Sequence, residues 1–378
     1  MKIHFFVRTL NDTTGGGSHY NSIAFMRGLR QAGHTVVVHV FSASPSNAFP
    51  SDIVPIVHEG WGMSFRRSRK YLAELLKQYE NDADAYFLYA VEFTWGGGLY
   101  RRTGGKVPVV VYMDAYLSSM RLTHTKNLSE RLYQIKRLPW DKVIGRRDAK
   151  HIDRFLPVSE YIGNVYKKFG FPGDHFTVLP SIVPPPPPDL LAQTRQKKTD
   201  EVRVLYVGRL IYEKGVDLLI DALESLTEFP WRLVIVGDGE MRTSIEGRAS
   251  ASTSPIEVRG WVTREEVWEA YRSADIFVHP ARWSDPGPRS ITDALWCGVP
   301  VIVPDTGGSS VIAGEAGLVF KTGDLQSLTE ALHTLLSDKE LRERLASHAH
   351  AEAARYEEGT VCPQLEKILL SAIKNVKE

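Results

Sequence analysis

Two cations five residues apart, Arg209 and Lys214, stand between two glycines in Gly208-Arg-Leu-Ile-Tyr-Glu-Lys-Gly215. A guanidinium can grip a phosphate through two parallel hydrogen bonds, and an ammonium adds a point charge beside it. The same residues would also suit a solvated surface loop. Two carboxylates eight residues apart follow in Asp285-Pro-Gly-Pro-Arg-Ser-Ile-Thr-Asp293. Pro286 and Pro288 have no N–H, so backbone donors at the start of a helix here must come from Gly287, Arg289 and Ser290. Carboxylates accept hydrogen bonds from sugar hydroxyls, so this stretch could hold a sugar and a phosphate together. Asp285 fits a plain turn or helix cap as well. Two glycine loops, Gly15-Gly-Gly17 ahead of Ser18 and Gly307-Gly308 after Asp305, would let backbone N–H groups approach an anion. The first lacks the G-x-G-x-x-G spacing of a dinucleotide site and serves equally as a flexible turn.

Open α/β sheets bind ligands beyond the carboxyl ends of their strands, so these loops are useful only if strands deliver them there. The hydrophobic pattern predicts such strands in two sets. The first set has strands over 3–7, 35–40, 85–89, 107–112 and 176–179, with helices over 19–32 and 159–169. The second has strands over 202–207, 233–236, 276–279 and 299–303. Val216, Leu219, Ile220, Leu223 and Leu226 repeat with helical spacing, Thr263 and Glu266 have capping-box spacing, and another helix begins near Arg289. Two or three helices close the chain. Five prolines, Pro184 to Pro188, exclude a helix or central strand and favour an extended spacer. The expected organisation is therefore a domain over 1–180, a linker over 181–199 and a domain over 200–360.

Composition agrees with two globular domains: 43% of residues are hydrophobic and 24% charged, which excludes a disordered or fibrous chain. Two cysteines, Cys297 and Cys362, are too few for a disulfide framework or a metal cluster. The apolar run at residues 3–7 is too short for a signal peptide and ends at Arg8, and no stretch of 18 apolar residues exists. A cytoplasmic protein is expected. Its net charge of +1 hides an asymmetry, with +9 over residues 1–180 and −8 over 181–378. The basic half carries Arg66-Arg-Ser-Arg-Lys70 among Trp61, Phe65 and Tyr71, and a second basic stretch from Arg131 through Arg137 to Arg147. Three readings fit these stretches: peripheral docking on an anionic membrane surface, binding of an anionic acceptor, or a solvated face. The near-neutral whole argues against nucleic acid.

The second half resembles the family 4 glycosyltransferases, and the resemblance rests on a run of motifs in fixed order. They are Val207-Gly-Arg-Leu with Glu213-Lys-Gly215, Val236-Gly-Asp-Gly239, Gly260, Asp285…Asp293, Cys297-Gly-Val-Pro-Val-Ile302 and Gly307-Gly308. The likeness extends over the whole chain, loosely before residue 180 and closely between about 200 and 320. It implies an α/β protein of the GT-B fold, two facing Rossmann-like domains with the active site in the cleft between them. The first domain would bind the acceptor and the second the donor, and a last helix over about 361–378 would cross back to the first. It implies a retaining, metal-independent transferase with no cofactor beyond a nucleotide-diphosphate sugar, UDP-linked first and GDP-linked next. The acceptor would be a hydroxyl of a saccharide, a lipid-linked sugar or a small molecule, as in bacterial glycan, glycolipid or natural-product glycoside synthesis.

By the same resemblance Arg209 and Lys214 take the diphosphate, Asp293 the ribose, and Asp285 faces the donor sugar, with Arg289, Ser290, Gly307 and Gly308 beside them. Gly16 and Gly17 match the loop near donor phosphate and acceptor. Both acids are glutamates in the family pattern and aspartates here, one methylene shorter. Where many members carry a donor-contacting histidine, this chain has Met113-Asp114. Asp114 could replace that contact or be a strand-end turn residue. His19 is an acceptor-side acid/base candidate or a solvated helix-start histidine, and Glu92 is a second acceptor-side candidate within Glu92-Phe-Thr-Trp95. Residues 116–121 are expected to line the same side. The shortened acids also leave room for a non-catalytic nucleotide-sugar-binding protein. A GT-B epimerase is the remaining alternative.

Overall fold

The computed structural model describes residues 1–10, 17–41, 49–59, 65–117, 128–191 and 201–377. The chain divides into two compact units, Met1–Ile182 with Glu358–Glu378, and Val183–Glu357. Strands of the first unit are β1 Lys2–Val7, β2 Thr35–Val40, β3 Ile56–Val57, β4 Ala85–Tyr89, β5 Val109–Met113 and β6 Arg154–Pro157. They form one sheet in the order β3-β2-β1-β4-β5-β6, every pair parallel. β4 and β5 are buried throughout, as strands covered by helices on both faces must be, which is why they read as unbroken apolar runs.

β5 starts two residues later than the pattern predicts, because Pro108 has no N–H to give the ladder. The expected strand over 176–179 is a single bridge, Phe155 to Phe176, and the sheet ends instead on β6. β6 offers only Phe155 and Leu156 between Arg154 and Pro157, too short a signal to see in advance. Ser159 caps the helix Glu160–Phe169, and Gly170 closes it in the left-handed conformation.

The second unit repeats the plan with β7 Val202–Val207, β8 Trp231–Val236, β9 Ile256–Gly260, β10 Ile276–Val278, β11 Val301–Pro304 and β12 Gly317–Phe320. The order is β12-β11-β10-β7-β8-β9, again all parallel. The two strands the pattern missed, β9 and β12, are the edges, where partial exposure dilutes the apolar signal. Thr263 and Glu266 form the expected capping box on the helix Arg264–Ser273.

The proline run starts from an anchored residue. Val183, just before it, donates to Tyr356 O at 2.8 Å and accepts from Trp296 Nε1 at 2.9 Å, which anchors the run in the second unit. Pro188 opens the one-turn helix Pro188–Leu191, where a first-turn position has no need of its missing N–H. Residues 192–200 of the expected linker lie outside the described residues. The helix Glu358–Lys377 returns to complete the first core through Val361, Leu365 and Leu369. It packs so closely on the helix Gly17–Gln31 that a Cβ on Gly28 would collide with Cys362 Sγ.

Candidate functional site

In the second sheet the chain leaves β7 toward β8 on one side and returns as β10 on the other. This is a topological switch point, where the loops after the two central strands diverge and leave a crevice. The loop after β7 carries Arg209 and Lys214, and the loop after β10 carries Asp285. The two loops are strapped together. Arg282 donates to both Asp217 carboxylate oxygens at 2.6 and 3.0 Å, stacks over Tyr212 at 4.5 Å, and bonds Glu213 O through its backbone N–H at 2.9 Å. Gly215 has φ +69°, and a Cβ there would strike Pro280 O, so only glycine brings the loops this close.

Strapping delivers Lys214 Nζ to Asp285 Oδ2 in a short charge-assisted hydrogen bond, with the Trp283 ring 6.0 Å from the ammonium. Both side chains are largely buried, at 14% and 13% exposure. Burial by itself would raise the Asp285 carboxyl, but Lys214 and the Gly287 backbone hold it below the usual carboxylate range. Behind the pair lies His279, 2% exposed, its Nε2 3.9 Å from Asp285 Oδ2 and without a hydrogen-bond partner. Burial, then the Lys214 charge, drive His279 down to about 3, so it is neutral at physiological pH.

The Gly307-Gly308 loop turns out to support the acid. Gly308 N–H donates to Asp285 O at 2.8 Å, so that donor is already committed and does not wait for an anion. Gly307, at φ +72°, lies against the Asp285 backbone where a Cβ would collide with Asp285 O. Asp293, 4% exposed on the helix Arg289–Trp296, is held by Arg264 at 3.2 and 3.3 Å and by Arg289 at 3.8 Å. Arg264 was not singled out in the sequence; it opens a separate helix, and no spacing ties it to Asp293. Ser290 sits half-buried in the first turn of the Asp293 helix. Arg209 is exposed, its carbonyl accepting from Tyr206 OH at 2.8 Å, and among the described residues no carboxylate pairs with it. Cys297 and Cys362 are both free thiols, and burial pushes each up to about 12.

The first sheet has its own switch point between β1 and β4, and a different chemistry stands at it. Gly16 lies outside the described residues, and Gly17 opens the helix Gly17–Gln31. Ser18 Oγ donates to Asp114 Oδ2 at 2.7 Å, and Ser18 O accepts from Tyr89 OH at 3.0 Å. Asn21 Nδ2 donates to Tyr89 OH at 2.8 Å and Tyr112 OH at 3.2 Å, while its Oδ1 accepts from Ile182 N–H at 2.6 Å. Asp114 is thus built into a network rather than left as a turn residue. His19 is half-buried, and burial lowers it against a backbone hydrogen bond at Thr9. Glu92 pairs with Arg8 at 3.4 Å. Trp95 does not line a binding face: it is 2% exposed, against Phe171 and under Gly145. Of the expected 116–121 stretch, only Tyr116 and Leu117 are described.

Sequence comparison matches residues 15–185 to the model of Glycosyltransferase Family 4 and residues 189–352 to that of Glycosyl transferases group 1. The chain belongs to the family 4 glycosyltransferases. Among curated relatives of this glycosyltransferase, the sulfoquinovosyl transferase of Arabidopsis thaliana is 31% identical over 41% of this chain and 30% of its own. An uncharacterized glycosyltransferase of Methanocaldococcus jannaschii is 26% identical over 69% of this chain and 62% of its own. The chain therefore spans less than two thirds of these relatives' lengths. Among solved structures, Anabaena HepE in complex with UDP matches with TM-score 0.73 at 17% identity, over 98% of this chain and 100% of that one. A lipopolysaccharide outer core galactosyltransferase matches with TM-score 0.75 at 17% identity, over 98% and 99%. The glycosyltransferase thus has the GT-B fold. Among the described residues, no three His, Cys, Asp or Glu side chains gather to hold a metal ion, and no helix is long and apolar enough to cross a membrane.

Proposed function

We propose that this glycosyltransferase moves a sugar from a nucleotide-diphosphate sugar, UDP-linked first and GDP-linked next, to an acceptor hydroxyl with retention at the anomeric carbon. One observation carries the reading: the Arg209–Lys214 loop and Asp285 meet at the switch point of the second sheet, with the ammonium and the carboxylate in contact. The Anabaena neighbour solved with UDP, and again with UDP-glucose, supports the choice of nucleotide. In this reading the bond from the anomeric carbon to the β-phosphate oxygen breaks and the acceptor oxygen bonds the same face. Its proton passes to the departing phosphate. Charge develops on the diphosphate, where fixed cations help most, and Arg209 and Lys214 supply them with no cofactor. Asp285 and Asp114 contact sugar hydroxyls, Asp293 the ribose, and Arg289 and Ser290 the phosphate end. His19 and Glu92 serve the acceptor. The unit roles follow, donor to the second and acceptor to the first.

Thermal-shift measurement against UDP, GDP, ADP, dTDP and their sugars tests this. A ligand at a hundred times its Kd adds about 2.7 kcal/mol, a shift of several degrees. One nucleotide should stabilise the wild type and fail on Arg209→Ala. No shift with any of them overturns the donor-site reading; a shift without transfer or donor hydrolysis leaves the non-catalytic one.

The helix Leu128–Trp140 and the turn Asp141–Gly145 after it favour a site of action at an anionic lipid surface. Leu132, Ile135 and Val143 are exposed there beside the exposed cations Lys136, Lys142 and Arg147. Each cation near such a surface is worth about 1 kcal/mol. Sedimentation should show binding to phosphatidylglycerol vesicles, little to phosphatidylcholine, and loss of both on Lys136→Glu with Lys142→Glu.

A further inference from the structure

The donor-site reading contains a conflict. It asks Lys214 to meet a diphosphate and Asp285 to meet a sugar, yet the two hold each other, each largely buried. A ligand phosphate that draws Lys214 away strips Asp285 of its charged partner. An ionised carboxylate left this short of partners costs several kcal/mol, more than most ligand contacts return. Something must receive Asp285.

The neighbourhood supplies one group in the right place. His279 Nε2 is a buried polar atom with no hydrogen-bond partner, 3.9 Å from the same Asp285 oxygen that Lys214 holds. A buried nitrogen without a partner is uncommon in a native core and calls for a reason. A displacement of about 1 Å brings the carboxylate within hydrogen-bond distance of it. The residue is fixed in place: its backbone N–H bonds Ile302 O at 2.9 Å, and it is 2% exposed. Asp285 has the opposite character. Gly307 and Gly308 hold its backbone, and its carboxylate keeps the Gly287 N–H while its second partner changes between two donors.

We propose that His279 is a positioning residue that receives Asp285, through Nε2–H, when a nucleoside diphosphate takes Lys214. The inference rests on the donor-site reading above. The order of strengths makes the exchange reversible. A cation is the stronger donor to a carboxylate, so Lys214 holds Asp285 until a phosphate outbids the carboxylate for it, and the neutral imidazole is the second partner. Asp285 is thereby aimed at the sugar only when the diphosphate is seated, which ties donor binding to readiness for transfer.

The experiment compares UDP affinity, kcat and the melting temperature of the free protein in the wild type, His279→Leu and His279→Gln. Leu has no donor; Gln returns an N–H near the Nε2 position. The Leu variant should raise the UDP Kd about fivefold and lower kcat about tenfold, while the free protein melts within about 2 °C of wild type. Gln should recover both constants to within about twofold. In an Asp285→Asn background, which has no charge to rehouse, the Leu change should add nothing to the Kd. If the Leu variant does not fold, His279→Asn replaces it, because its amide is too short to reach. Equal behaviour of Leu and Gln, unchanged constants in both, or a Leu effect that persists in the Asp285→Asn background overturns the exchange. A wild type that binds no nucleoside diphosphate overturns the donor-site reading and takes this inference with it.

Discussion

The two units share a plan and differ in how they build the ends of their strands. Each has six parallel strands with a switch point at the centre. In the second unit that point is made of ion pairs: Lys214 with Asp285, Arg282 with Asp217, and Arg264 with Asp293. In the first, the neutral groups Asn21, Tyr89, Tyr112 and Ser18 gather around the carboxylate of Asp114, and one longer ion pair, Arg8 with Glu92 at 3.4 Å, follows β1 and β4. Paired charges are rearranged by a charged ligand, and a satisfied neutral network resists rearrangement. The strand ends of the second unit are therefore the more responsive to a charged ligand, and those of the first the more fixed in shape.

The sharpest way to break this contrast is to remove one charge from each side. Lys214→Ala should lower kcat about a thousandfold while UDP affinity falls about tenfold or less, because its charge matters most as the leaving group forms. Equal losses in both constants would make Lys214 a plain binding charge. Asp114→Asn should leave UDP affinity unchanged and reduce transfer, as read by initial rates at saturating donor. Asn21→Ala tests rigidity. It leaves Tyr89 OH, Tyr112 OH and Ile182 N–H each one partner short in the interior, and should cost about 3 kcal/mol in denaturant unfolding of the first unit.

The smallest effect is the response to acid. In the first unit His4, His39 and His58 form a buried chain, His4 Nδ1 to His39 Nε2 at 2.9 Å and His39 Nδ1 to His58 Nε2 at 2.8 Å. Burial lowers all three, His39 to about 3, with Asp82 opposing the effect at His4. In the second unit the matching group is His279, also at about 3. A histidine lowered on folding takes up its proton more readily when unfolded. Stability is therefore full above about pH 6.5 and falls below it, for His39 and His279 down toward pH 3 by up to about 1.4 kcal/mol per pH unit each. Counting His19, also lowered by burial, four groups against one predict that amide exchange between pH 7 and 5.5 will accelerate more in the first unit. Equal acceleration in the two would remove this part of the contrast.

What could be read in advance follows the same division. The second unit's chemistry sits in short runs, Gly208 to Gly215 and Asp285 to Asp293, so spacing alone placed both at strand ends. The first unit's network comes from residues 18, 21, 89, 112 and 114, gathered from two strand ends and a helix start. No local pattern joins them. Central strands were legible because burial on both faces makes them uniformly apolar; β6, β9 and β12 were not, being short or half-exposed edges. His279 was read only as the last residue of a strand. A polar side chain ending an apolar run is a signal, but its direction toward Asp285 depends on the fold. Likewise, Gly308 was read as an anion donor because sequence cannot show that Asp285 O already takes its N–H.

The helix Glu358–Lys377 has a consequence for synthesis. Its buried residues Val361, Cys362, Leu365, Leu369 and Ala372 fill a core whose other members lie before residue 183. On a ribosome, the second unit has all its own strands and helices once residue 357 has emerged. The first unit, though made earlier, still exposes the apolar floor on which this helix will settle, including the groove along Gly28. The order of completion is therefore the reverse of the order of translation. The core of the amino-terminal half cannot be completed until the helix Glu358–Lys377 has been made, after the whole of the second unit.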